Sequence, residues 1–182
     1  MDAAADFDAR AHTLPSRAAR VAEKSRSTKE TSIDVMVNLD PQGPEIASGE
    51  VATGVATLDA LFRELQASSG LHLRVKCSGD MWIDEHHSAE DVAITLGKAI
   101  NDALGDKGGC TRMGFAEGSC GSARVRCILD LSNRPSFCSN LRFDARDEEM
   151  VGDLSVEMIC HVFESLATSA LSTVHLEQLD GP

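Results

Sequence analysis

The chain has 182 residues and a formal net charge of -12, enough for one well-buried domain and short for two. Hydrophobic residues make up 42% and aromatic ones only 4%, so the core has to be built from aliphatic side chains. An acidic chain repels nucleic acid and anionic lipid, and no apolar run approaches the ~20 residues of a membrane helix, so neither partner is expected. Six cysteines, none spaced as Cys-x-x-Cys, read as free thiols in a reducing, cytoplasmic setting.

Residues 1–24 are rich in Ala, Arg and Asp and lack the apolar stretch of a secretory signal. Asp2, Asp6 and Asp8 argue against a transit peptide. The segment reads as a mobile N-terminal tail, with the domain proper over 25–182. "TSIDVMVNL" alternates Ile33, Val35, Val37 and Leu39 with Asp34, Met36 and Asn38, the period of a half-buried strand. "TLDALFRELQASSG" places Leu58, Leu61, Phe62 and Leu65 at helical spacing, with Gly70 as its stop. "LHLRVKCSGD" alternates again as a strand. "DEHHSAED" and "VAITLGKAINDALGDKGG" follow, a helix closed by Gly105 and the Gly108–Gly109 pair.

The second half repeats the order. "SARVRCILDLS" reads as a strand, "VGDLSVEMICHVFESLATSA" as a helix and "STVHLEQLDG" as a strand. The expected fold class is α+β. Two similar halves of strands and helices pack their helices on one face of a sheet, and the second half lacks its final helix.

The chemistry concentrates in "DEHHSAED". Helical residues four apart share a face and adjacent ones diverge by about 100°. His86 and Glu90 can therefore chelate one ion. His87, three before Glu90, reaches the same ion or serves a second. Imidazole with carboxylate suits Mn, Fe or Zn rather than Ca. Asp80, Asp84, Glu85 and Asp91 surround the pair as groups that could orient the imidazoles. Read without further context, the same stretch is also an ordinary solvated helix start.

"RSTKETSIDVMVNLD", "GDMWIDEHHSAEDVAITLGKAINDALGDKGG", "DLSNRP" and "STVHLEQLDG" together resemble the imidazoleglycerol-phosphate dehydratase family of histidine biosynthesis. The resemblance is collinear over nearly the whole chain. It implies two like α+β halves and subunits that assemble through trimers into a large shell, with active sites between subunits. It also implies a small-molecule phosphate substrate and two Mn²⁺ ions per site. The implied reaction removes water from imidazole-glycerol phosphate to give imidazole-acetol phosphate, with the metal holding the imidazole while a C–H proton leaves. By the same resemblance His86, His87, Glu90 and His175 are metal ligands, and Glu30 and Glu90 are catalytic carboxylates. Arg112 and Arg134 hold the substrate phosphate, a task suited to a planar bidentate donor. His161 also matches a family histidine and reads as packing.

Several positions depart from the family pattern. Ala60 stands where a metal-binding histidine is expected, Ser68 where a second is, Gly121–Ser122 replace an Asp-Glu pair, and Asn133 replaces a glycine. The sequence stops at "LDGP", where the family continues into a second His-His-x-x-Glu helix and a lysine that contacts phosphate. Two expectations follow: a manganese-dependent dehydratase forming homo-oligomers, or a catalytically inactive homologue that keeps the fold as a non-catalytic subunit or binding protein and co-assembles with an intact relative.

Overall fold

The computed structural model describes residues 19–43, 49–79, 85–143 and 150–181; Asp80 and Asp84 lie outside them. The first half runs β1 (Val21–Ser27), β2 (Thr31–Asn38), β3 (Glu50–Ala52), α1 (Ala56–Ser69), β4 (His72–Gly79) and α2 (His86–Leu104). The second runs β5 (Met113–Cys120), β6 (Ala123–Asp130), β7 (Ser136–Ser139), the short pair β8 (Met150–Val151) and β9 (Leu154–Ser155), α3 (Val156–Ser169) and β10 (Thr173–Asp180).

Each half builds its own four-stranded sheet, in the orders β1-β2-β4-β3 and β5-β6-β10-β7. The two plans superpose strand for strand. The first two strands pair antiparallel, the second pairs antiparallel with the last, and the last pairs parallel with the short third strand, in both halves. By this correspondence α3 is the counterpart of α1 and β10 of β4. The duplicated α+β architecture expected from element order is present. Among the described residues no second-half helix takes the place of α2.

One difference concerns the N-terminal boundary. The sequence reads 1–24 as a tail, yet Val21–Lys24 belong to β1, paired residue for residue with Val35–Asn38 of β2. The strand sits at a sheet edge and its burial alternates weakly, so its sequence carries little apolar signal.

The core lies between the first sheet and the helices. Ile33, Val35 and Val37 of β2 and Leu73 and Val75 of β4 face Leu58 and Phe62 of α1, Val92, Ala93 and Leu96 of α2, and Met158 and Val162 of α3. α2 is covered by the sheet on one side and by α3 on the other, so ten of its residues are buried. Small residues permit that double contact. At Gly97, a Cβ would come within 2.7 Å of the Leu166 carbonyl oxygen and 2.7 Å of Ser169 Cβ. α1 ends as expected at Gly70, which takes a left-handed conformation at φ 71° and donates to the Gln66 carbonyl.

The second sheet is barer. All eight residues of β5 are exposed, Phe115 at 73% and Met113 at 60%. Met113, Gly114 and Phe115, with Arg126 and Ile128, line an open groove of about 420 Å³. The six cysteines are free thiols.

Candidate functional site

α2 begins at His86, with Glu85 at its N-cap, and its opening turns carry the histidine–glutamate motif. His86 Nε2 lies 3.8 Å from Glu90 Oε2, the one-turn spacing expected from the sequence. α3 supplies the third member. His161 Nε2 lies 3.2 Å from Glu90 Oε1, and the His86 and His161 ring centroids are 5.4 Å apart. One ligand atom from each of His86, Glu90 and His161 falls within 4.8 Å of the others. His161 Nε2 is buried and has no hydrogen-bond partner among the described residues. A buried ring nitrogen facing a carboxylate and a second imidazole is the arrangement a bound divalent ion would complete. The donor set suits Mn, Fe or Zn.

His161, read from sequence as packing, is thus the residue that closes the group. His87 stands edge-on to His86 with ring centroids 6.1 Å apart and is outside the converging set, as helical geometry requires of adjacent residues. His175, expected as a ligand, is also outside it. It sits on β10 opposite Ile128 of β6 and Cys138 of β7. Its neighbour Leu176 pairs with Ser139, whose hydroxyl approaches Cys160 of α3 at 4.0 Å. Strand alternation therefore turns His175 to the face away from α3.

Glu30 occupies the exposed turn between β1 and β2, where its N–H donates to Thr28 Oγ1 at 3.1 Å. A buried network ties that turn to the motif helix. Thr31 Oγ1 donates to Asp91 Oδ2 at 2.7 Å, and Arg26 Nη2 lies 2.8 Å from Asp91 Oδ1. Asp91 is 8% exposed, so its charge is met by a cation and a hydroxyl rather than by water. The carboxylates of residues 30 and 90 are each one residue from this link.

The two arginines also come together. Arg112 grips Asp130 with two bonds, Nε at 2.7 Å and Nη2 at 2.9 Å. The Arg112 fork, helped by the nearby charge of Arg134, holds the Asp130 carboxyl below its usual range. The Arg134 backbone is fixed on both sides: its N–H donates to Ser132 Oγ at 3.0 Å and its carbonyl accepts from Thr173 Oγ1 at 2.9 Å. The guanidinium itself makes no hydrogen bond or ion pair among the described residues.

The two groups lie at opposite ends of the helix pair. Glu90 meets His161 near the start of both helices, while Gly97 meets Leu166, Ser169 and Ala170 further along, so α2 and α3 run side by side in one direction. α2 has 19 residues, about 27 Å of axis, and the arginines sit beyond its far end. Ala60, where the family pattern has a histidine, is exposed on α1. Ser68 donates its hydroxyl to the Glu64 carbonyl at 2.7 Å.

Two like α+β halves with a histidine–carboxylate group at a helix interface define a duplicated α+β protein with a ligand set of transition-metal type. A sequence model of the imidazoleglycerol-phosphate dehydratase family matches residues 53–182. The imidazoleglycerol-phosphate dehydratase of Chlorobium chlorochromatii is 42% identical over 163 residues, 90% of this chain and 80% of that protein. The histidine biosynthesis bifunctional protein HisB of Actinobacillus pleuropneumoniae is 41% identical over 91% of this chain. The chain spans 44% of that relative and 34% of the Phytophthora nicotianae dehydratase, which is 43% identical. Among solved structures, the imidazoleglycerol-phosphate dehydratase of Staphylococcus aureus superposes with a TM-score of 0.75 at 25% identity, over 89% of this chain and 85% of that one. That of Pyrococcus furiosus, in complex with (S)-C348, gives 0.71 at 28%, over 87% and 80%. The chain belongs to the imidazoleglycerol-phosphate dehydratase family.

Proposed function

We propose that the chain acts as a manganese-dependent dehydratase in histidine biosynthesis, converting imidazole-glycerol phosphate to imidazole-acetol phosphate. The observation that carries this is the convergence of His86, Glu90 and His161, whose nitrogens and carboxylate would hold the ion. A bound divalent ion supplies Lewis acidity toward charge developing on the substrate ring. In the reaction one C–H and one C–OH bond break, water leaves, and the resulting enol becomes the ketone. Glu30, held beside the motif helix by the Thr31–Asp91 bond, offers an exposed carboxylate to carry the proton. Arg112 and Arg134 take the phosphate, with Asp130 keeping the Arg112 fork in one plane.

From Glu90 to the end of α2 is 14 residues, about 21 Å of axis, far longer than a small phosphate ester, so one chain's metal group and arginines would not serve the same molecule. A complete site takes its metal ligands from one copy and its arginines from another, which makes the working form a homo-oligomer. His87, outside the converging group, is then assigned to a second ion shared with a neighbouring copy.

A second reading has its own observation. Ala60 offers no ligand atom and Ser68 spends its hydroxyl on a backbone carbonyl. This favours a homologue that keeps the fold and contributes its half-sites to an assembly with an intact relative. Purified protein given Mn²⁺ and imidazole-glycerol phosphate, with product followed directly, separates the two. Turnover that disappears in both His86→Ala and His161→Ala supports the dehydratase. A folded but silent protein that gains activity only when co-expressed with an intact homologue supports the second. For either variant, Mn²⁺ affinity should fall by more than the roughly 10–100-fold typical of losing a group that merely orients a ligand.

A further inference from the structure

Three non-glycine residues among those described have positive φ: Lys107 at 60°, Asn133 at 55° and Leu171 at 50°. They are far apart in sequence and all meet at one place. Lys107 Nζ donates to Asn133 Oδ1 at 2.5 Å, to the Leu171 carbonyl at 3.2 Å and to the Ala170 carbonyl at 3.5 Å. Asn133 N–H donates to the Leu171 carbonyl at 3.0 Å. Left-handed backbone is uncommon outside glycine and persists only where surrounding contacts impose it. Three such residues joined by hydrogen bonds form a knot that fixes three segments relative to one another.

The segments are the turn after α2, the β6–β7 loop and the end of α3. An ammonium group has three donors and no acceptor, and all three are used here. Two go to carbonyls just past the last turn of α3, where backbone oxygens are left over and a positive charge is favoured. The third goes to Asn133, the residue immediately before Arg134. Burial lowers the Lys107 pKa from its ordinary value, as expected for a cation withdrawn from water to make these contacts.

We infer that Lys107 is a positioning residue for Arg134: by tying Asn133 to the end of α3, it sets where the guanidinium presents itself to a phosphate group. The inference rests on the proposed phosphate role of Arg134. Lys107 spends its donors on protein acceptors, so it acts through the loop and not by touching substrate.

The test uses the full chain and inorganic phosphate as probe, read by calorimetry, alongside steady-state kinetics with imidazole-glycerol phosphate. Lys107→Met should weaken phosphate binding and raise KM by roughly 10- to 100-fold, the scale of a misplaced positioning group, with kcat little changed. Lys107→Arg, which restores donors to the same carbonyls, should recover most of the loss. Asn133→Gly keeps the left-handed backbone but deletes the acceptor, and should weaken phosphate binding in the same direction if Lys107→Met fails to fold. Phosphate affinity within twofold of the parent in folded Lys107→Met, while Arg134→Gln loses it, would overturn the positioning role and leave the arginine role intact. Arg134→Gln binding phosphate as well as the parent would overturn the arginine role itself and, with it, this inference.

Discussion

Asp153 shows how one carboxylate joins the two halves. It lies in the β8–β9 turn and accepts from the backbone N–H groups of Ala56 at 2.6 Å and Thr57 at 2.8 Å. These are the first two residues of α1, whose own N-cap, Val55, has no side-chain oxygen to give. A residue nearly one hundred positions away thus caps the helix. Those bonds, the Thr57 N–H foremost, hold the Asp153 carboxyl below its usual range. The folded pKa lies below the unfolded one, near 4, so the stabilisation is complete above that value and is lost as pH falls through the lowered folded pKa. Thermal melts from pH 7 downward should show a shallower acid limb for Asp153→Asn than for the parent. An unchanged limb would mean that the cap carries no charge-dependent stability.

The same scale shows what the sequence could and could not say about the site. His86 and Glu90 were legible because their spacing alone puts them on one helix face. Glu30, Arg112 and Arg134 could be named only through the family resemblance, because no local period marks a turn carboxylate or a loop arginine. His161 reads from the sequence only as packing, because the residues it meets, Glu90 and His86, lie on another helix and no spacing connects them. One signal did exist. The resemblance implies a metal histidine on the first helix of the first half, and the repeat makes α3 that helix's counterpart, so a histidine on α3 had a reason to be there. His175 lies outside that group, since strand alternation sends it to the opposite face from Leu176.

At the scale of elements, the contact between α2 and α3 decides whether His161 meets Glu90 at all. Gly97 lies against α3 in that contact. Replacing it with Ala gains about 1 kcal/mol of helix propensity, but the added carbon must push against a backbone oxygen at 2.7 Å, Ser169 Cβ at 2.7 Å and a backbone nitrogen at 3.0 Å. Overpacking of this kind costs about 1–3 kcal/mol, and backbone atoms have little room to yield. Gly97→Ala should therefore unfold at lower denaturant concentration than the parent and bind Mn²⁺ more weakly. A rise in stability would show that the two helices can part without cost. The long elements β2, α1, β4, α2, β6 and β10 were readable because each carries a sustained period of two or 3.6. β1 and β5 were not, because both are edge strands with no buried stripe. β5 in particular, "MGFAEGSC", has glycines at its second and sixth positions and no residue covered by another element.

At the scale of the whole molecule, the repeated plan was legible in the order of elements, whereas the division into two separate sheets was not, since strand pairing across a crossover leaves no local mark. The arrangement also leaves the His86–Glu90–His161 group and the arginines at opposite poles of a rod made by α2 and α3. That polarity has a genetic consequence. A copy carrying His161→Ala keeps good arginines, and a copy carrying Arg134→Gln keeps a good metal group. Neither should support catalysis by itself. Mixed in one cell or refolded together, the two should complement, with about a quarter of the sites drawing both intact parts if the copies assort at random in a symmetric assembly. A strain bearing both defective alleles would then grow without histidine where neither parent does, and the recovered activity would count directly how often one chain lends its pole to another.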